Sequence, residues 1–184
     1  RSPLTGTFLD SYSGGDFASA LVGALDGALG VAVTGQADEP QVLEIGDGEA
    51  TLSTAGDLWG RDVVEPCAAF DDAVACVGPA GANEVRYATI ASDGGDHHAG
   101  RGGAGAVMGS KGLKAVVAGG AVPQPDPALA TLQAEYERRF RETDVGRWHA
   151  ASATLETVDF ADEVGVLSTR GWQEGSFEGA EDIG

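Results

Sequence analysis

Lysine is almost missing from this chain of 184 residues: Lys111 and Lys114 are the only two. Lysine and arginine together number 11 against 29 Asp and Glu, leaving a formal net charge of −18. A surface of that sign repels nucleic acid and anionic membranes, so neither is expected as a partner. No run of about 18 apolar residues occurs, and no charged-then-apolar leader opens the chain. The expectation is a soluble, cytoplasmic protein. The two cysteines, Cys67 and Cys76, lack CxxC spacing and read as buried thiols rather than a metal or disulfide pair. Gly-x-Ser-x-Gly and His-Glu-x-x-His are both absent, which removes the usual sequence support for covalent or zinc-assisted hydrolysis. A Walker A loop fails on order, since the residues run Gly109-Ser110-Lys111.

The acids are scattered rather than gathered into a tail, and 42% of the chain is hydrophobic, so it reads as globular. Scattered acids with almost no lysine suit a protein kept soluble where salt screens self-repulsion. A salt-adapted archaeal cytoplasm is the environment expected from that pattern.

One stretch reverses the local sign. Asp93 to Gly120 carries both lysines and Arg101 within a glycine-rich sequence, DGGDHHAGRGGAGAVMGSKGLKAVVAGG. Glycine permits positive φ and close backbone approach. A glycine turn that feeds a helix aims unpaired N–H groups at an anion, phosphate above all. Ser13-Gly14-Gly15 is a second such turn ahead of a helix expected over Asp16–Asp26, so the chain holds two candidate anion nests. Gly100-x-Gly102-x-x-Gly105 matches a dinucleotide fingerprint, although DGGDHHA is long for a tight turn, and it stands as the alternative reading. His97-His98 beside Asp93 and Asp96 could ligate a metal, but adjacent side chains rarely meet one ion and a polar loop is the plainer reading.

Taken in order, Gly30–Gly35 reads as a short strand. Gln41–Ile45 and Ala50–Leu52 read as a hairpin turning at Gly46-Asp47-Gly48. Asp57–Asp72 reads as a helix with a kink or break at Pro66. Ala73–Val77 and Val85–Ala91 read as strands, with Gly78–Gly81 as a turn between them. A helix over AGAVMGSKG and a strand over LKAVVAG follow. Three prolines in Val122–Pro127 mark a linker; Asp126 then caps a helix running to about Thr143, with Pro127 at its first turn. The fold class is α+β: mixed sheets with short helices, a boundary near residue 121, and the start of a helical second domain.

GRGGAGAVMGSKGLKAVV (Gly100–Val117) resembles the signature of the tungsten-dependent aldehyde ferredoxin oxidoreductase family. CVGPAGANEVRYATI before it, SPLTG followed by SGG near the start, DLWGRDVVE, and the tail GVLSTRGWQEGSFEGAEDIG resemble further blocks of that family in the same order. The resemblance implies a tungstopterin-binding base over residues 1–121, with 122–184 as linker and beginning of the helical domain. It implies oxidation of aldehydes to carboxylic acids at tungsten or molybdenum held by two pterins. Electrons would pass through a 4Fe–4S cluster to ferredoxin, and a homo-oligomer is an open expectation. Carried over by motif, the pterin residues are Tyr12, Gly14, Gly15, His97, His98, Gly100, Arg101 and Gly102. The resemblance also implies a magnesium ion that joins the pterin phosphates through the backbone carbonyls of Tyr12 and His98. Tyr12 replaces a frequent Asn, and His97-His98 replaces a frequent Arg-Ala, so one phosphate-gripping cation is lost unless His97 is protonated. The cysteine cluster for 4Fe–4S and the acid and histidine expected near substrate have no match here. The chain therefore reads as a domain truncated at both ends, inactive alone, with a non-catalytic fragment as a further alternative.

The acid-rich composition carries its own test. Thermal unfolding followed from dilute buffer to molar KCl is expected to show a midpoint that climbs with salt. A midpoint indifferent to salt would remove the salt-adapted reading.

Overall fold

The computed structural model describes residues 1–151 and 153–183; Ser152 and Gly184, the last residue of the tail block, lie outside the described residues. The chain forms two compact units, Arg1–Gln124 and a second from Pro125 onward. The first is organised by a six-stranded mixed sheet, built from β1 (Gln41–Gly46), β2 (Glu49–Thr54), β3 (Ala73–Cys76), β4 (Ile90–Ser92), β5 (His97–Ala99) and β6 (Leu113–Ala118). The strand order is β2-β1-β6-β3-β4-β5. Only the β1–β6 pair is parallel; the others are antiparallel. Four short helices accompany the sheet: α1 (Phe17–Ala24), α2 (Val64–Ala68), α3 (Pro79–Ala82) and α4 (Ala104–Ser110).

The central strands are buried on both faces, which is why LKAVVA reads as an unbroken apolar run apart from one lysine. Leu43 and Ile45 pack with Ala20 and Ala24 of α1 and Met108 of α4 on one face. Val42, Val74, Cys76, Ala115 and Val117 pack on the other, against Val63, Cys67 and Phe70. Each fully buried aliphatic side chain there contributes about 2 kcal/mol. The β1–β2 hairpin turns at Asp47 (φ 50°) and Gly48 (φ 75°), the two left-handed residues that match the twist of a tight hairpin.

Several sequence expectations change. Gly30–Gly35 forms no strand; Val31 and Val33 instead project from one side of the run into a cleft over the sheet. Asp57–Asp72 is not one helix. Gly60 (φ 80°) interrupts it, and Asp62 Oδ1 accepts from the N–H groups of Val64 and Glu65 (2.9 and 3.2 Å) to start the five-residue α2. Pro66 sits in that helix's first turn, where no N–H is needed. Of Val85–Ala91 only the end is extended, because other neighbours claim its polar groups. The Ala88 carbonyl accepts from Gly105 N–H at 2.9 Å, and the Arg86 guanidinium donates to the Pro3 carbonyl at 2.9 Å. Gly78–Gly81 winds into α3 with proline at its start. The His-His pair, read as loop, lies on the edge strand β5.

The second unit contains α5 (Pro127–Arg141), α6 (Asp144–Ala151) and α7 (Thr157–Glu163). Asp126 Oδ1 accepts from Ala128 N–H at 2.8 Å and Pro127 opens α5, as the sequence indicated. The apolar face of α5, including Leu129, Leu132 and Tyr136, is exposed.

One buried charge ties the sheet to the segment before α2. Between Gln41↔Leu113 and Val42↔Ala115 the register skips Lys114, a bulge that re-aims its side chain. Lys114 is fully buried, and its Nζ donates to the carbonyls of Val77 (2.5 Å) and Arg61 (2.8 Å). Burial pulls its pKa below the usual lysine value, while Cys76 and then Asp62 push the other way. Burial, aided by Cys67, lifts the neighbouring Cys76 thiol from 9.0 to about 12. Lys114→Met would leave two inward carbonyls unpaired and is expected to cost about 3 kcal/mol in urea unfolding. The folded state also keeps the Cys76 proton that an unfolded chain releases above pH 9.0. That stabilisation is intact below pH 9.0 and is lost between 9.0 and about 12. Cys76→Ala is expected to flatten the alkaline limb of a stability-versus-pH curve.

Candidate functional site

The two glycine turns, separated by more than eighty positions in sequence, are held against each other by small side chains. Ser2 Oγ donates to the Gly102 carbonyl at 2.6 Å and Ser11 Oγ to the Gly100 carbonyl at 2.5 Å. Asp93 Oδ1 accepts from Asp16 N–H at 3.3 Å, directly after the SGG turn. Gly15 (φ 88°) leaves no room for a side chain: a Cβ there would overlap the Asp93 carboxylate and stand 2.9 Å from His97 Nδ1. A Cβ on Gly14 would stand 3.1 Å from His97 Cδ2. The SGG glycines are therefore closely packed against the Asp93 and His97 side chains, a constraint that adds to the ligand approach read in the sequence. Gly105 is similar, since a Cβ there would meet the backbone of Thr89.

As successive residues of β5, the two histidines act apart. His97 turns to Asp93 and the SGG turn, with Nδ1 3.3 Å from Asp93 Oδ2. That approach is out of line for a hydrogen bond. Nδ1 is the one buried side-chain polar atom among the described residues that lacks a hydrogen-bond partner. His98 pairs with Thr89 Oγ1 through Nδ1 at 2.9 Å. No group of three or more His, Cys, Asp or Glu side chains among the described residues is placed to hold a metal ion. The joint metal site considered for these imidazoles is not formed.

After β5 the backbone is left-handed at three consecutive residues, Arg101 (φ 60°), Gly102 (φ 66°) and Gly103 (φ 87°), and then enters α4. The nucleotide alternative through Gly100, Gly102 and Gly105 fails here. Along the order β6-β3-β4-β5 every pairing is antiparallel, so β5 and β6 run in opposite senses, and a Rossmann unit needs parallel strands.

The cations of the first unit are mostly occupied. Arg1 donates to the Gly6 carbonyl, Arg86 to Pro3, Lys111 to Gly35 at 3.0 Å, and Lys114 to Val77 and Arg61; Arg61 faces Glu65. The lysines that gave the stretch its positive sign in the sequence are thus consumed by the fold. Among the described residues of this unit, Arg101 is the exposed cation with no protein acceptor, and the N–H groups of Gly14, Gly15, Arg101 and Gly102 donate to none. Tyr12 is exposed, and its hydroxyl donates to Asp10 at 3.2 Å.

Beside the SGG turn lies a cleft of about 390 Å³, with Ser13, Gly14, Phe17, Val33, Met108 and Val116 in its walls. None of its lining residues is ionisable. A free N–H donor at Gly14 in the wall of an apolar cleft, with a free guanidinium two residues beyond Ala99 of the same wall, suits a phosphorylated ring compound. A 4Fe–4S cluster does not fit. Only Cys67 and Cys76 are present, and the second is buried with its thiol pushed up to about 12, whereas such clusters take four thiolates.

Comparison with known proteins agrees with these features. Residues 1–120 match the family model for the aldehyde ferredoxin oxidoreductase N-terminal domain. The tungsten-containing aldehyde ferredoxin oxidoreductase of Pyrococcus abyssi is 35% identical over 97% of the chain and 31% of its own length. That of Thermococcus kodakarensis is 35% identical over 98% of the chain and 31% of its own length. The chain spans about a third of the length of the curated relatives it matches. A solved structure of the active-site complex BamBC of benzoyl coenzyme A reductase, with 1,5-dienoyl-CoA, matches 60% of the chain and 19% of its own. That match has a TM-score of 0.52 and 31% identity. With two-thirds of its residues under the family model and relatives a third identical along nearly its whole length, the chain belongs to the aldehyde ferredoxin oxidoreductase family, and residues 1–120 correspond to that family's N-terminal domain.

Proposed function

We propose that residues 1–121 seat the phosphorylated pterins of a tungsten- or molybdenum-dependent aldehyde oxidoreductase, and that 122–184 lead into its helical second domain. The observation that carries this reading is the pairing of the two glycine turns around donors that no protein group uses. Arg101 would grip a pterin phosphate, since a guanidinium binds two phosphate oxygens at once. The N–H groups of Gly14, Gly15, Arg101 and Gly102 would donate to neighbouring oxygens, and Gly100 keeps the loop close to β5. His97 and His98 flank the loop on its strand side. The backbone carbonyls of Tyr12 and His98 would be offered to a magnesium ion between the phosphates. The apolar walls beside Gly14 would exclude water from the ring system.

When bound, the metal–pterin group would supply the two-electron oxidation of an aldehyde to a carboxylic acid. A 4Fe–4S cluster passing the electrons to ferredoxin would need cysteines other than Cys67 and Cys76. This chain's part is binding and orientation. Its cleft has no ionisable wall residue to move a proton, so proton handling falls to residues outside this stretch.

Protein made in its native host and analysed for metals and pterin tests the proposal. Tungsten or molybdenum is expected together with pterin, and finding neither metal would sink it. In the same host, Arg101→Ala is expected to hold pterin about tenfold more weakly, the effect of losing a charge-assisted phosphate contact. Unchanged pterin occupancy would remove Arg101 from that role.

A further inference from the structure

Asp93 packs against the SGG turn and the His97 ring, and the pterin reading assigns it no part. Its backbone is left-handed (φ 53°), a conformation that Asp and Asn tolerate better than other side chains. Both carboxylate oxygens are engaged. Oδ1 accepts from Asp16 N–H, and Oδ2 accepts from Ser92 Oγ at 3.0 Å while lying 3.3 Å from His97 Nδ1. That nitrogen is buried and hydrogen-bonds to no group, Asp93 included, so what it meets is the carboxylate's charge at close range.

At 3.3 Å a bare imidazole nitrogen would set its lone pair against the ionised carboxylate. Even without an aligned hydrogen bond, a neutral ring is therefore favoured with its proton on the facing nitrogen. The other nitrogen then becomes an acceptor. In His97 this is Nε2, on the ring edge that runs along Gly14: the Cβ position of Gly14 is 3.1 Å from Cδ2 and 3.5 Å from Nε2. We propose that Asp93 is a positioning residue that fixes His97 as the Nδ1–H tautomer, so that Nε2 is presented beside Gly14 as an acceptor for an N–H group of the bound ring. The ligand class follows from the chemistry. A phosphate offers only acceptors to such an atom, whereas the amino and amide N–H groups of a pterin are donors. The ligand half of this inference rests on the pterin reading; the tautomer half does not.

The full chain, labelled with ¹⁵N-histidine, tests the tautomer by two-bond proton–nitrogen correlation in mildly alkaline buffer, where imidazoles are neutral. His97 is identified by the signal lost in His97→Gln. The expected pattern is a protonated Nδ1 and a bare Nε2 at His97. A protonated Nε2, or an averaged mixture, would overturn the proposal without recourse to any variant. Asp93→Asn keeps the size and the left-handed tolerance but turns one acceptor into a donor, as its amide then faces Nδ1. It is expected to reverse the tautomer, and an unchanged pattern counts against Asp93. In native-host protein the same variant is expected to retain about tenfold less pterin than the parent, since Nε2–H would confront an N–H donor. Reversed tautomer with undiminished pterin overturns the acceptor role. A parent protein free of pterin overturns the ligand class and leaves the tautomer result standing, so the two failures are told apart.

Discussion

The local arrangement depends on how closely the SGG turn, with no Cβ at Gly14 or Gly15, can approach the side chains of Asp93 and His97. Gly14 and Gly15 lie against the His97 ring and the Asp93 carboxylate, and the Ser2 and Ser11 hydroxyls hold the carbonyls of Gly102 and Gly100 from the other side. Each hydrogen bond contributes about 1 kcal/mol net, and together they fix the relative position of turns that the sequence separates. The carbonyls of the glycine loop are used for this internal fastening. Its N–H groups at Arg101 and Gly102 are not, and donors left free in this way suit an anion.

Charge is allotted with the same economy. In a chain of net charge −18, an unpaired cation on the surface is unusual. Lys114 is sunk into the sheet at a bulge, Lys111 is turned back onto the Gly35 carbonyl, and Arg86 clamps the Pro3 carbonyl. Among the described residues of the first unit, what remains for an external anion is Arg101. The positive sign of the glycine-rich stretch was visible in the sequence, yet most of it serves the fold. The local sign reversal that marks this loop in the sequence rests largely on lysines that the fold uses internally.

The proposed cofactor seat has an apolar part and a polar part. The cleft walls come from α1, the Val31–Val33 run, and the sheet face, with no ionisable group among them. The polar donors come from the two turns.

Sequence alone determined the features with local causes. Asp47-Gly48 specifies its hairpin because both residues accept positive φ, Asp126-Pro127 specifies a helix start because a carboxylate caps the free N–H groups, and the LKAVVA run specifies a strand covered on both faces. The glycine signature also sufficed to suggest the family. What sequence could not determine depends on distant partners. Val31–Val33 and Val85–Thr89 have strand-like residues but no strand, because their neighbours in space are a cleft and the start of α4. Only the tertiary structure sent His97 and His98 to opposite partners, joined residues 2–16 to 93–103, and decided which cation stayed free. Those outcomes follow from where carbonyls and carboxylates lie after the chain has closed on itself, and no spacing along the chain encodes them.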